Sequence, residues 1–358
     1  MNAIRVLVVD DAAVVRRQVS LLLGAAPGLE VVATAPNGRI ALAKVEQFQP
    51  DVVLLDLEMP ELDGLETLKL LRQRAPELPV VMFSALTERG GLLTLEALAL
   101  GARDYVTKPT SAGGMNITVE AVRDELVRKL KALNVRMPTT TPAPSPAPAP
   151  VTREPPSRPR TPARVEAIVI GASTGGPGAL VRLVSALPAD LPVPVFIVQH
   201  MPPLFTRLLA ERLQGVTPLT VREAVTGACV QAGEVWVAPG DFHLAVCRDA
   251  TGVRLLTHQG PAENACRPAV DLLFRSAAEV YGAGVLAAVL TGMGQDGLRG
   301  CRRVIEAGGQ VVVQDQASCV VGSMPGSVEQ AGLADAVVPL DALALELARR
   351  VDARGRRT

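Results

Sequence analysis

The sequence predicts an α/β protein made of two parallel-sheet units, the first a five-stranded flavodoxin-like sheet and the second a doubly wound sheet, joined by a proline-rich linker. Three observations carry this expectation. At 358 residues the chain is long for one domain. Both halves alternate β-branched apolar runs with amphipathic stretches, the pattern of parallel strands covered by helices. Between them, residues 138–162 hold ten of the 29 prolines and no apolar period, so this stretch reads as an extended, semi-rigid spacer. The expected units are residues 1–137, a linker over 138–164, and residues 165–358.

Strands of the first unit are expected at 4–9 (IRVLVV), 31–35 (VVATA), 51–56 (DVVLLD), 79–84 (PVVMFS) and 104–107 (DYVT). In a sheet of order 2-1-3-4-5, ligands bind beyond the C-terminal ends of strands 1 and 3, where the winding reverses. Asp10 and Asp11 follow strand 1, Asp56 ends strand 3, Ser84 ends strand 4 and Lys108 follows strand 5. Three converging carboxylates repel one another unless a hard cation is shared, and an all-oxygen set suits Mg²⁺. A hydroxyl and an ammonium on the same rim would neutralise a phosphoryl group carried by Asp56. Singly, each residue reads equally well as a strand-end turn residue or a solvated charge; five in register do not.

These residues, in VVDD, LLDLEMPELDG, SALT and VTKP, resemble the receiver domains of two-component response regulators over roughly residues 3–135. The resemblance implies that Asp56 takes a phosphoryl group from a histidine kinase. It also implies that Asp10, Asp11 and Asp56 hold Mg²⁺ with the Glu58 backbone carbonyl, and that Ser84 and Tyr105 form a switch beside Lys108.

In the second unit strands are expected at 167–172 (AIVIGA), 193–199 (VPVFIVQ), 234–238 (EVWVA), 253–257 (VRLLT), 285–291 (VLAAVLT) and 310–314 (QVVVQ). The first runs into IVIGASTGGPG, where Gly171, Ser173 and Gly175 match a nucleophile elbow, G-x-S-x-G. A phosphate-cradling loop would instead need G-x-G-x-x-G or a Walker lysine, and the Ser173 loop has neither. A serine needs a base, and the base needs an orienting group. Of three histidines, His200 ends the strand after Ser173's, so adjacent parallel strands would bring both to one rim; His243 and His258 are its competitors. Asp296, in the glycine-rich turn LTGMGQDG, is the candidate carboxylate. Backbone N–H groups of Thr174 and Met293 are placed to form an oxyanion hole, each such donor being worth about 3–4 kcal/mol. As isolated residues, Ser173 and Asp296 read as helix caps and His200 as a strand-end residue. Three turns on one edge supplying Ser, His and Asp favour catalysis.

The chain order Ser, His, Asp differs from that of α/β-hydrolases. The segments GASTGG, VQHMP, VWVAPG, RPAVDLLF, LTGMGQDG and QDQASCVVGSMPGSV, in this order behind a receiver, resemble the chemotaxis protein-glutamate methylesterases, the CheB family, over nearly the whole chain. The resemblance implies a serine hydrolase with Ser173 as nucleophile, His200 as base and Asp296 as its orienter. No cofactor is expected for the esterase. Its substrates would be γ-glutamyl methyl esters on methyl-accepting chemoreceptors, with deamidation of receptor glutamines as a second reaction, under the control of receiver phosphorylation. Gln295 stands where alanine is expected before Asp296, and Ser323 interrupts the run before Met324. The rival reading is a response regulator whose second unit only binds a partner.

Charge excludes other classes. The 36 basic and 36 acidic side chains cancel, as do the two halves, 16 against 17 over residues 1–137 and 16 against 18 over 165–358. Neither half carries the basic surplus of a nucleic-acid binder. With no N-terminal apolar leader and no run of 18 apolar residues, a cytoplasmic protein without membrane insertion is expected. The five cysteines (Cys229, Cys247, Cys266, Cys301, Cys319) form no C-x-x-C pair and are expected to be reduced, mostly buried small hydrophobes.

Overall fold

The computed structural model describes residues 3–109, 118–133 and 163–352; residues 138–162 of the expected linker lie outside them. The N-terminal unit runs β1 (Ile4–Val9), α1 (Ala13–Gly24), β2 (Leu29–Ala35), α2 (Gly38–Phe48), β3 (Val52–Asp56), α3 (Gly64–Arg74), β4 (Val80–Ser84), α4 (Glu88–Ala99), β5 (Asp104–Thr107) and α5 (Val119–Leu133). Its five strands are parallel in the order β2-β1-β3-β4-β5. Successive residues point to opposite faces: Leu7, Val9, Val53 and Leu55 enter one core, Val6, Val8, Val52 and Leu54 the other. Burial on both faces is why these strands read as unbroken apolar runs. Side-chain caps start α2, α3 and α4, Asn37 Oδ1 accepting from Ile40 N (2.9 Å), Asp63 Oδ1 from Glu66 N (2.8 Å) and Thr87 Oγ1 from Gly90 N (3.0 Å).

The C-terminal unit runs β6 (Ala167–Ala172), α6 (Gly176–Ser185), β7 (Val195–Gln199), α7 (Phe205–Gln214), β8 (Thr220–Glu223), β9 (Glu234–Val237), β10 (His243–Asp249), β11 (Gly252–His258), α8 (Val270–Tyr281), β12 (Val285–Val289), α9 (Leu298–Glu306), β13 (Gln310–Gln314), α10 (Ser323–Gln330), β14 (Ala336–Val338) and α11 (Leu340–Asp352). Seven parallel strands order as β14-β13-β12-β6-β7-β9-β8. The winding reverses around β6, which lies between β12 and β7. Three strands escaped the sequence expectation: β8, β10 and β14. The run VRLLT is not part of the parallel sheet; as β11 it pairs antiparallel with β10 in a separate hairpin. Its neighbour HLAVCRD precedes it so closely across the Asp249–Gly252 turn that only a hairpin can join them.

The cysteine expectation also needs correction. Only Cys301 is buried; Cys266 and Cys319 are part-exposed, and Cys229 and Cys247 are exposed. Cys247 lies in β10 where that strand leaves the core: His243 to Val246 are buried, and Cys247 to Asp249, at the turn end of the hairpin, are exposed.

One apolar core crosses from the first unit into the second, joining Leu95, Leu98 and Tyr105 to Ala179, Phe205 and Leu208. Helix α4 packs on α6 and α7. The Tyr105 and Phe205 rings stack nearly parallel, centroids 5.0 Å apart. Gly91 lets α7 close in, because a Cβ there would lie 2.5 Å from Leu208 Cδ1. Arg207 and Glu88 pair at the rim, 3.0 Å apart.

Candidate active site

Ser173, His200 and Asp296 lie just beyond β6, β7 and β12, the three strands at the reversal point of the sheet. Strand pairing alone brings their turns to one rim. Ser173 N donates to Thr291 O (3.0 Å), tying the serine turn to the turn after β12. Ser173 O accepts from Gly176 N (2.7 Å) and from Gln199 Nε2 (2.9 Å). The turn needs its glycines: Gly175 has φ +76°, and a Cβ on Gly176 would meet Gln199 Oε1 at 1.9 Å. Thr291 Oγ1 donates to Thr174 O (2.9 Å), fixing the next residue.

Asp296 is buried and its Oδ2 lies 2.8 Å from His200 Nε2. Four other groups donate to the same carboxylate: Val270 N (2.7 Å) to Oδ2, and Asp271 N (3.0 Å), Asn264 Nδ2 (2.8 Å) and Gly297 N (3.1 Å) to Oδ1. Burial works against ionised Asp296, but His200 and the backbone donors outweigh it and hold the carboxyl below its ordinary range. For His200, burial opposes the charged ring, yet Asp296 and the Cys266 thiol hold the imidazolium up to about 10.

The ring's free nitrogen, Nδ1, faces Cys266 Sγ at 3.6 Å. No hydrogen bond joins Ser173 Oγ to His200 among the described residues; such bonds are often loose before substrate binds. The backbone N–H groups of Thr174 and Met293 have no partner among the described residues, leaving both free to donate to an oxyanion. Ser323 Oγ accepts from Gly294 N (3.0 Å) and donates to Gly292 O (3.2 Å), pinning the Met293 turn, while Gln295 is exposed beside it. The competing histidines lie elsewhere. His243 is buried, accepting from Ala269 N at Nδ1 and donating from Nε2 to Pro261 O, with the His258 ring 5.4 Å away.

Asn264, Cys266 and Asp271 carried no role in the sequence reading. Only Asp271 had a sequence signal, its place in the RPAVDLLF segment: it is buried, accepts from Gly297 N (3.0 Å), Gly300 N (2.7 Å) and Asn264 Nδ2 (2.9 Å), and so fixes the turn holding Asp296.

At the receiver's rim, Asp10, Asp11 and Asp56 offer carboxylate oxygens within 4.8 Å of one another. Lys108 Nζ sits between two of them, 2.8 Å from Asp10 Oδ2 and 2.9 Å from Asp56 Oδ1. Burial pushes the Asp56 carboxyl up to about 6, with Asp10 adding to it and Lys108 opposing. The oxygen-only donor set and this excess of negative charge fit a hard divalent cation. The Glu58 side chain turns away to Arg89, 3.2 Å distant. Ser84 is fully buried, its Oγ donating to the carbonyls of Ala85 or Gly90 (3.2 Å each). Tyr105 is not at this rim but against Phe205, 4.9 Å below Lys129 Nζ.

Among the described residues no helix is long and apolar enough to cross a membrane. Residues 6–120 match the response regulator receiver domain and residues 168–347 the CheB methylesterase domain. The chain is 49% identical to a protein-glutamate methylesterase/protein-glutamine glutaminase of Trichodesmium erythraeum over 98% of this chain and all of that protein. It is 51% identical to one of Nocardioides sp. over 98% of this chain and 96% of that protein. The C-terminal unit is similar to the crystal structure of the Thermotoga maritima CheB methylesterase catalytic domain, with 42% identity, a TM-score of 0.51, and coverage of 52% of this chain and 99% of that one. With the receiver fold, the hydrolase sheet and relatives matched end to end, the chain belongs to the CheB methylesterase family.

Proposed function

We propose that this protein is a phosphorylation-controlled protein-glutamate methylesterase, with Ser173, His200 and Asp296 as its hydrolytic triad. The observation that carries the reading is the buried His200–Asp296 pair, 2.8 Å apart, on the rim that also bears the glycine-framed Ser173. A module that only bound partners would have no need to bury a five-donor carboxylate behind a histidine.

In the reaction, neutral His200 takes the Ser173 hydroxyl proton through its free nitrogen as Oγ attacks the γ-carbonyl of a methylated glutamate. The N–H groups of Thr174 and Met293 hold the oxyanion. The imidazolium, steadied by Asp296, returns the proton to the leaving methoxide, and methanol departs. Water, deprotonated by His200, then cleaves the acyl-Ser173 ester to release glutamate. A glutamine side chain follows the same path with ammonia leaving, which supports deamidation as the second reaction. Chemoreceptors are the substrate class that the family reading supplies.

Control lies with Asp56, phosphorylated from a histidine kinase. Asp10, Asp11 and Asp56 would hold Mg²⁺ with the Glu58 carbonyl, and the ion would screen phosphoryl oxygens from these carboxylates. Lys108 would pair with the phosphoryl group, and Ser84 and Tyr105 would relay its presence. Because β5 and α4 pack against the hydrolase unit beside Thr174, the resting receiver restricts access to Ser173, and phosphorylation loosens it. Methanol release from methyl-esterified chemoreceptor tests this. Release should vanish in Ser173→Ala and rise when a phosphodonor and Mg²⁺ are added, but not in Asp56→Asn. Equal release from Ser173→Ala would overturn the triad.

A further inference from the structure

His200 presents one nitrogen to Asp296 and the other to a thiol, and that second contact has metal-site dimensions. Zinc–sulfur and zinc–nitrogen bonds of about 2.3 and 2.0–2.1 Å, meeting at a tetrahedral angle, separate the two donors by about 3.5–3.6 Å. Cys266 Sγ and His200 Nδ1 stand 3.6 Å apart. A cation could bridge them with neither side chain moving.

The ring's other side completes the pattern. In the neutral ring Asp296 Oδ2, at 2.8 Å, keeps the His200 proton on Nε2 and turns the Nδ1 lone pair to the thiol. Ligating histidines characteristically donate their second N–H to a carboxylate in this way. Asp296 is itself locked by Asn264, Val270 and Asp271, so the ring's direction is set before any ion arrives. Cys266 is held by a tight turn, Glu263 N donating to Cys266 O (3.1 Å) and Cys266 N to Glu263 O (2.8 Å). Cys266 and His200 are both part-exposed, so neither is sealed from solvent.

We propose that Cys266 Sγ and His200 Nδ1 bind a zinc-class divalent cation at the catalytic rim, with Asp296 orienting the ring from behind, and that the bound ion silences the hydrolase. Binding exchanges the thiol proton and the imidazolium's Nδ1 proton for metal–sulfur and metal–nitrogen bonds, both protons going to solvent. Sulfur and imidazole donors select zinc-class ions over Mg²⁺, the reverse of the all-oxygen receiver cluster. The silencing half rests on the proposed triad: an ion on Nδ1 occupies the lone pair that Ser173's proton needs.

Cobalt(II) titration of the full-length protein, in excess Mg²⁺ to fill the receiver carboxylates, tests the site by spectroscopy. One equivalent should raise a thiolate-to-cobalt charge-transfer band that zinc displaces. Cys266→Ala should abolish the band, and Asp296→Asn should keep it with affinity weaker by about 10- to 100-fold. No band, or a band that survives Cys266→Ala, overturns the site. In the methanol assay zinc should stop release by the intact protein and a chelator should restore it. Cys266→Ala, whatever its own rate, should keep that rate in zinc. Release unaffected by zinc despite the band overturns the silencing. If no metal-free preparation ever releases methanol, the hydrolase reading falls while the cobalt band still decides the metal site.

Discussion

His200 shows how one residue's surroundings set both stability and rate. Its folded-state pKa is raised from 6.5 to about 10, so the charged pair with Asp296 stabilises the fold fully below pH 6.5 and loses that contribution as pH rises through about 10. The general base must be neutral, so kcat/KM should climb with pH above 6.5 rather than level off there. In Asp296→Asn the climb should move to lower pH while kcat falls by about 10³- to 10⁴-fold, read from the pH profiles of both proteins. Asp56 runs the other way for a carboxylate. Raised from 3.8 to about 6 by burial, it costs nothing below pH 3.8, and its ionisation costs roughly 3 kcal/mol once pH has passed 6. Asp56→Asn should therefore raise the thermal midpoint of the receiver at pH 7, and Mg²⁺ should raise that of the unaltered protein but not the variant's.

At the scale of elements, the site depends on helix starts and strand-end turns. Asp271 Oδ1 satisfies two backbone donors at the start of α9, Gly297 N and Gly300 N. Asp271→Ala orphans Gly300 N in a buried setting and leaves Gly297 N only its 3.1 Å bond to Asp296 Oδ1, so it should destabilise the hydrolase unit by about 1–3 kcal/mol in urea unfolding. Burial already pushes the Asp271 carboxyl up, so Asp271→Asn, which keeps an acceptor oxygen without the charge, should lose far less. A comparable loss in both variants would mean that charge, not the acceptor, matters. The serine turn is similarly constrained, since Gln199 fills the space that a side chain on Gly176 would take.

For the whole molecule, the interface between units is the element that phosphorylation would bias. Tyr105 lies in the receiver, sandwiched between Lys129 and Phe205 of the hydrolase unit's α7, and its ring belongs to the shared core. Tyr105→Ala removes that stacked ring, so basal methanol release should rise and the further gain on adding phosphodonor should shrink. A fragment of residues 163–358 should likewise outrun the resting full-length chain. If it runs no faster, the receiver does not restrict the site.

Sequence by itself determined the fold class, nearly every buried strand and the cluster of motifs at two sheet edges. These are local signals: β-branched runs buried on both faces, glycines where a turn forces them, and charged residues placed one step beyond a strand. It failed where the signal was not local. Strand β8 has four residues and β14 only three, and β10 passes from buried to exposed half-way along, so none reads as a buried parallel run. Tertiary structure alone decided that Asn264 and Asp271 brace Asp296, that Tyr105 faces the second unit, and that Cys266 rests on His200. Those contacts join residues from separate turns, and pairwise distance in space leaves no mark on the spacing of residues along the chain.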